Sequence, residues 1–230
     1  MDPGQNHLIE SLPGGDRLRL LASCEEVLLV PGEVLFEAGA ALRHAFFPVD
    51  GFISQLTRIE HHAGLEVGMV GREGLCGAAL VLGVAVAPMQ SIVQGAGAAW
   101  RISAAEMEHQ LVLSSSLRSS LLRYVCVLME QMATSAACLR FHQIGQRLAR
   151  WLLMSEDRAH ASRFHVTHEF LASMLGVRRV GVTVAAGALQ RQGLISYHRG
   201  EVVVLDRPGL EAAACPCYAR QRLAYRTHFP

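Results

Sequence analysis

VTHEFLASMLGVRRVGVTVAAGALQRQGLISYHRGEVVVL, residues 166–205, is the stretch that decides the fold. Thr167 is placed to cap a short helix, because its hydroxyl accepts a backbone N–H that has no partner inside the helix. Glu169 in the first turn suits the positive end of the helix dipole. Leu175-Gly176-Val177 supplies a sharp turn, and only glycine takes the required conformation without strain. In the helix that follows, Val182, Ala186 and Leu189 recur at helical spacing and predict a buried face. Arg179 and Thr183, four residues apart, share the outward face. Leu194–Leu205 then reads as a hairpin turning at Arg199-Gly200.

A short helix, a glycine turn, a second helix and a hairpin make a winged helix-turn-helix, whose second helix enters a DNA major groove. Arg178 and Arg179 begin that helix. An arginine there grips guanine O6 and N7 with two bonds, worth ~1–3 kcal/mol of base discrimination. Thr183 can meet a base edge or a thymine methyl, and Arg199 at the hairpin tip suits a phosphate. The expected DNA-binding residues are therefore Thr167, Arg178, Arg179, Thr183 and Arg199. The competing reading makes the three arginines ordinary solvated surface. Gly181 and Gly187 each weaken the second helix by ~1 kcal/mol relative to alanine, which packing has to offset.

The charge distribution agrees with a polyanion partner for this half. Residues 140–230 hold 13 Arg against 6 Asp and Glu, a surplus of 7, whereas residues 1–139 hold 8 Arg against 14, a deficit of 6. The chain contains no lysine, and arginine is the cation that makes bidentate phosphate and guanine contacts. The apolar fraction of 51% over 230 residues excludes gross disorder and suits two compact domains.

From Glu26 to Ile102 the pattern changes to short β-rich runs punctuated by glycine. Val27–Val30, Glu33–Phe36, Ala45–Val49, Phe52–Arg58, Leu65–Val70, Ser91–Gln94 and Ala98–Ile102 are the expected strands of a sandwich, roll or barrel. Residues 74–100 contain no charged residue and no histidine. The apolar core of that run, 75–87, is too short for a membrane span needing ~20 residues, and is read as buried β structure. Before the strands, residues 1–23 read as a loose arm and a short helix near 16–23.

Ala104–Leu113 reads as a short helix, and Ser114-Ser115-Ser116 offers a cap for a longer one over 117–140. Along it Leu122, Val125, Met129, Met132, Ala136 and Leu139 alternate spacings of three and four, the seam of a coiled coil. Leu121, Tyr124, Leu128 and Ser135 lie beside it. The seam fits pairing with a second copy; the alternative is core packing within the chain. Residues 141–155 continue as a helix with Ile144, Leu148, Trp151 and Leu152 on one face and Arg147 and Arg150 on the other. Residues 156–163 form a polar connector, and a tail begins at Asp206.

Cys24, Cys76, Cys126, Cys138, Cys215 and Cys217 are scattered, and no basic-then-apolar signal opens the sequence. That pattern reads as reduced thiols in a cytoplasmic protein. Cys215-Pro216-Cys217 holds two potential ligands, but only His228 lies close to it in sequence, so two inert thiols and no metal are expected. His61-His62 is read as an exposed turn. The glycines from Gly68 to Gly74 lack the lysine and the helix of a phosphate loop. No nucleophile–base pair or carboxylate pair emerges, so no enzyme activity and no cofactor are expected.

Taken together, Glu169–Gly193 with Leu194-Ile195, the PGEVLFEAG and VGREGLCGAALVLG runs, and the order roll, long helix, winged module resemble the Crp/Fnr family of bacterial transcription regulators over about residues 25–205. The resemblance implies an α+β fold: an N-terminal roll of the cyclic-nucleotide-binding kind (1–113), a dimerisation helix (114–140), and a winged helix-turn-helix with its tail (141–230). It also implies a homodimer on a near-palindromic promoter site in double-stranded DNA, and contact with RNA polymerase. Family members that bind cyclic AMP hold its ribose with a Glu after a roll glycine and its phosphate with Arg-Ser or Arg-Thr. Here Ala78 follows Gly77, and Pro88-Met89-Gln90 stands at the second place, so cyclic AMP control is not expected. Val180 replaces a Glu that often reads bases, and Cys24 alone lies where cluster-binding members carry several cysteines. The alternatives are control by another small ligand or by oxidation of Cys76 or Cys126, or a protein–protein module without DNA binding.

Overall fold

The computed structural model describes residues 6–60, 64–159 and 162–229. His61 and His62 lie outside them. The chain divides into two compact units, residues 6–55 with 69–128 and residues 56–68 with 129–229.

Two short helices come first, α1 (His7–Glu10) and α2 (Gly14–Ala22). The expected helix near 16–23 is α2; α1 was not foreseen. Asn6 starts α1 by accepting from the Leu8 and Ile9 amides, while its own amide nitrogen reaches the carbonyls of Pro48 and Gly74 at 2.8 and 3.0 Å.

Seven strands follow: β1 (Glu25–Leu29), β2 (Val34–Phe36), β3 (His44–Pro48), β4 (Phe52–Thr57), β5 (Leu65–Val70), β6 (Gln90–Gly95) and β7 (Gly97–Ser103). They form two sheets in the orders β1-β7-β3 and β2-β6-β4-β5. Within the first, Val27 lies opposite Ala99 and Phe47 opposite Trp100. Leu29, Phe46 and Ala99 from one sheet and Phe36, Ile53, Val70 and Val93 from the other share one buried apolar cluster. Alternating residues of two facing sheets supply such a core. All seven expected strands are present, with ends shifted by at most two residues.

The apolar run 75–87 is not the buried β segment expected. It forms a 3-10 turn over Ala78–Leu82 between left-handed Gly77 and Gly83, with only isolated bridges at Cys76 and Val86. Leu82, Val84 and Val86 face solvent. Apolar composition alone does not separate strand from helix over so short a length.

α3 (Ala104–Leu113) leads into α4 (Ser115–Phe141). Ser114 caps α4, accepting from the Leu117 amide at 3.0 Å. Leu117, Leu121, Tyr124, Leu128, Gln131, Ser135 and Cys138 are buried and trace one heptad stripe down the helix. The seam lies one residue further round: Leu122, Met129 and Ala136 are exposed, and Val125, Met132 and Leu139 are half-buried. Leu121, Tyr124, Leu128 and Ser135 therefore do not widen the seam but form the face packed inside the chain. Met129 is 66% exposed.

α5 (Ile144–Ala159) begins after a break at His142-Gln143 and extends through the expected connector to residue 159. β8 (Arg163–His165), α6 (His168–Leu175), α7 (Arg179–Arg191), β9 (Ile195–His198) and β10 (Glu201–Val204) follow. The wing is a three-stranded sheet, β8-β10-β9, rather than a hairpin alone. The expected tail is two helices, α8 (Arg207–Ala213) and α9 (Cys217–His228). Asp206 caps α8 through the Gly209 amide at 3.0 Å. Arg207 then ties α8 to the end of α5, bonding Glu156 at 2.7 Å and Asp157 at 2.5 Å, with Tyr218 donating to Asp157 at 2.8 Å. No single helix among the described residues is long and apolar enough to cross a membrane.

Candidate nucleic-acid interface

Thr167 caps α6, its hydroxyl accepting from the Phe170 amide at 3.2 Å. α6 ends at Gly176, whose φ of 60° lies in the left-handed region. The chain bends by 107° between α6 and α7, within the range of DNA-binding helix pairs. Val182, Ala186 and Leu189 are buried as expected, which fixes the rotation of α7 about its axis. A Cβ on Gly181 would sit 2.9 Å from the Ile144 side chain, so this glycine lets α7 lie close against α5. Close packing offsets the helix propensity lost there.

That rotation turns Arg179, Val180, Thr183 and Val184 outward, and Arg178 stands exposed at the N-cap. Val180 and Val184 are 66% and 64% exposed. Valine is seldom so bare on a helix, and an apolar side chain in a major groove finds thymine methyls. Val184 was not singled out in the sequence, although its four-residue spacing from Val180 was there to read.

Thr183 is less free than its sequence position implied. Its hydroxyl donates to the Arg179 carbonyl at 3.1 Å and meets His168 Nδ1 at 3.0 Å. The methyl is the part of Thr183 left for a base. Burial, helped by Arg179, holds the His168 pKa below the ordinary imidazole range. The neutral ring can therefore face the arginines without added repulsion.

The wing turns through Arg199 and Gly200, both left-handed at φ 50° and 87°, the pattern of a two-residue hairpin turn. A Cβ on Gly200 would collide with the His165 ring at 2.5 Å. Arg179, Arg199, Thr167, His165, His168 and Tyr197 line one groove of about 390 Å³ between α7 and the wing. Three of the five expected DNA-binding residues thus share a groove. Arg178 lines a separate one with Arg179, Glu169 and Gly176.

Two expectations about charge and ligands change. Arg147 is not on a solvated face: it is 7% exposed and donates to the Leu175 carbonyl at the end of α6. No carboxylate pairs with it among the described residues. Cys215 and Cys217 are not isolated thiols. They meet Cys138 and His142, and the four ligand atoms lie within 4.8 Å of one another. Hydrogen bonding from Cys215 holds the Cys138 thiol well below the ordinary range, assisted by the charge of Arg150. The Cys215 pKa is pushed up in turn by Cys138 and by burial. His228 is not part of the group; it meets Glu130 at 3.0 Å.

Residues 146–213 match the family model of the Crp-like helix-turn-helix domain. Among solved structures, FixK2 from Bradyrhizobium japonicum is similar at a TM-score of 0.70 and 13% identity, covering 84% of this chain and 98% of that one. The c-di-GMP-responsive global regulator CLP of Xanthomonas campestris aligns at 0.67 and 18%, covering 84% and 99%. TTHA1359, a Crp/Fnr-family transcriptional regulator from Thermus thermophilus, aligns at 0.67 and 20%, covering 83% and 98%. No curated protein matches the sequence. The chain carries a Crp-like helix-turn-helix domain and has the fold of the Crp/Fnr transcription regulators.

Proposed function

We propose that this protein is a homodimeric, sequence-specific regulator of transcription that acts in the cytoplasm without cyclic AMP. The observation that carries the reading is the outward face of α7: Arg179, Val180, Thr183 and Val184 project together, and Arg179 shares a groove with Arg199 of the wing. This face offers cations for phosphate and guanine and methyl groups for thymine. Arg178 contacts the backbone or a base at the edge of the same site, and Thr167 orients the start of α6.

The partly exposed seam of α4 supports pairing with a second copy. Leu122, Val125, Met129, Met132, Ala136 and Leu139 lie on a face that the chain covers only in part, at the spacing two paired helices use. A two-fold dimer would carry two recognition helices to half-sites one helical turn apart on near-palindromic promoter DNA. Residues 1–113 then serve as a sensor-like roll, 114–140 as the dimer helix and 141–230 as the DNA-binding part, with RNA polymerase as the downstream partner.

Independence from cyclic AMP rests on charge. Pro88-Met89-Gln90 stands where the resemblance places the phosphate-binding Arg-Ser or Arg-Thr pair, and the Gln90 amide nitrogen holds the Glu37 carboxylate at 2.9 Å. An incoming cyclic phosphate would meet the Glu37 carboxylate, an arrangement costly for a buried anion. Control through Cys76 is disfavoured, because complete burial pushes this thiol up to about 12.

The test is anisotropy titration of a selected duplex with the wild-type protein and with Arg179→Ala at several salt concentrations. The wild-type affinity should fall steeply with salt, and Arg179→Ala should weaken binding and flatten the slope. Salt-independent binding, or an Arg179→Ala protein indistinguishable from wild type, would favour a protein–protein module instead.

A further inference from the structure

We propose that Cys138, His142, Cys215 and Cys217 form a tetrahedral site for a single zinc ion that fastens the α8–α9 elbow to the α4–α5 elbow. Cys138 lies in the last turn of α4 and His142 follows its final residue, with the His142 amide still donating to the Cys138 carbonyl at 3.1 Å. Cys215 and Cys217 flank Pro216 in the break between α8 and α9. The two pairs come from segments more than 70 residues apart in the sequence.

The distances suit one ion. Cys138 Sγ lies 3.5 Å from Cys215 Sγ, and Cys217 Sγ lies 3.6 Å from His142 Nδ1. A tetrahedron with zinc–sulfur bonds of ~2.3 Å has ligand–ligand edges of about 3.8 Å. An iron–sulfur cluster would hold its ligands farther apart. The three thiols are buried and His142 is half-buried, as in closed structural sites that keep no position for water. Three thiolates and a neutral imidazole around Zn2+ carry one net negative charge, and three thiol protons leave as the ion binds. Arg147 and Arg150 stand beside that charge. Arg147 and Arg150 line one cavity with Cys138, and Arg150 is held by bonds to Ser135 and Gln221, each at 3.2 Å. The site therefore also explains a buried arginine that pairs with no carboxylate among the described residues.

The consequence is mechanical. His142 sits at the break where the seam helix ends, and α5 begins two residues later and packs on both α7 and α8. Zinc would fix this elbow, and with it the direction in which α5 leaves the seam helix.

Full-length protein, freed of any purification tag and kept reduced, should contain about one zinc per chain by elemental analysis and native mass spectrometry. The same stoichiometry is expected in Cys24→Ser and Cys126→Ser, and its loss in Cys138→Ser and Cys215→Ser. Cobalt(II) should give thiolate charge-transfer and tetrahedral d–d bands. His142→Cys should keep the metal and shift those bands, which keeps the test decisive if a serine variant fails to fold. Wild-type protein that takes up neither Zn2+ nor Co2+ would overturn the proposal. So would a Cys138–Cys215 disulfide formed in the presence of zinc, or full zinc retention by Cys215→Ser. None of these readouts depends on whether the protein binds DNA.

Discussion

The β-rich unit and the C-terminal unit are built from the same apolar-rich alphabet, yet they bury different things. The polar side chains that the roll unit buries are uncharged, among them Asn6, Ser54, Gln55, Gln90, Ser91 and Gln110, and its one fully buried thiol is Cys76. The C-terminal unit buries Arg147, gathers three cysteines and a histidine, and holds Arg207 between three carboxylates. An uncharged core needs matching volume and hydrogen bonds for its polar groups, and it accepts nothing charged. A core with a buried charge must hold that charge against its partners, which fixes the positions of the elements that carry them. The contrast sets a buried cation and a cysteine–histidine group in the C-terminal unit against uncharged burial in the roll unit.

The largest effect should come from the seam. Met129→Glu puts two carboxylates face to face across a paired helix, and sedimentation should show the change from dimer to monomer. Losing the linked second half-site should weaken binding to a two-fold duplex by about 10²–10⁴-fold. A variant that sediments as the wild type would remove the seam from the account.

Arg179→Ala should cost ~1–3 kcal/mol at one base position, about ten- to a hundredfold in affinity, without changing the mass of the assembly. Val184→Ala should relax preference at an A·T pair by a smaller amount, read by competition between duplexes. Arg207→Ala removes charge-assisted bonds to Glu156 and Asp157 and should lower stability by about 1–3 kcal/mol in urea. This loss should appear in the C-terminal unit and spare the roll, as hydrogen exchange would show. The smallest effect expected is from cyclic AMP, which should leave Tm unchanged if Pro88-Met89-Gln90 supplies no partner for its phosphate. A rise in Tm would break the contrast from the other side.

Much of this was legible in the sequence where local rules act alone. Glycine punctuation located the seven strands, and Ser114, Thr167 and Gly176 marked helix ends because their caps are short-range chemistry. The 3.5-residue spacing picked out an apolar stripe that the structure leaves partly exposed, but not which neighbouring stripe packs inward: Leu121 and Leu122 are the same residue type on different faces. The run 75–87 misled because apolar content carries no period at that length. Arg147 was placed on the face opposite the apolar one, and its burial could not be read there because it depends on a carbonyl 28 residues away. The tail hid two helices, although Asp206 and Pro208 are ordinary helix-start signals. The cysteine–histidine group was invisible for a different reason. Cys138 and His142 lie at metal-ligand spacing, but their partners are across the fold, and only the return of the chain after α8 brings the two pairs together.

Selection from a random duplex library with purified full-length protein tests the central claim most directly. The account predicts enrichment of a two-fold symmetric motif with half-sites about 10–10.5 base pairs apart, retained without any added nucleotide and lost in Met129→Glu. Enrichment of no sequence by a folded wild-type dimer would contradict it.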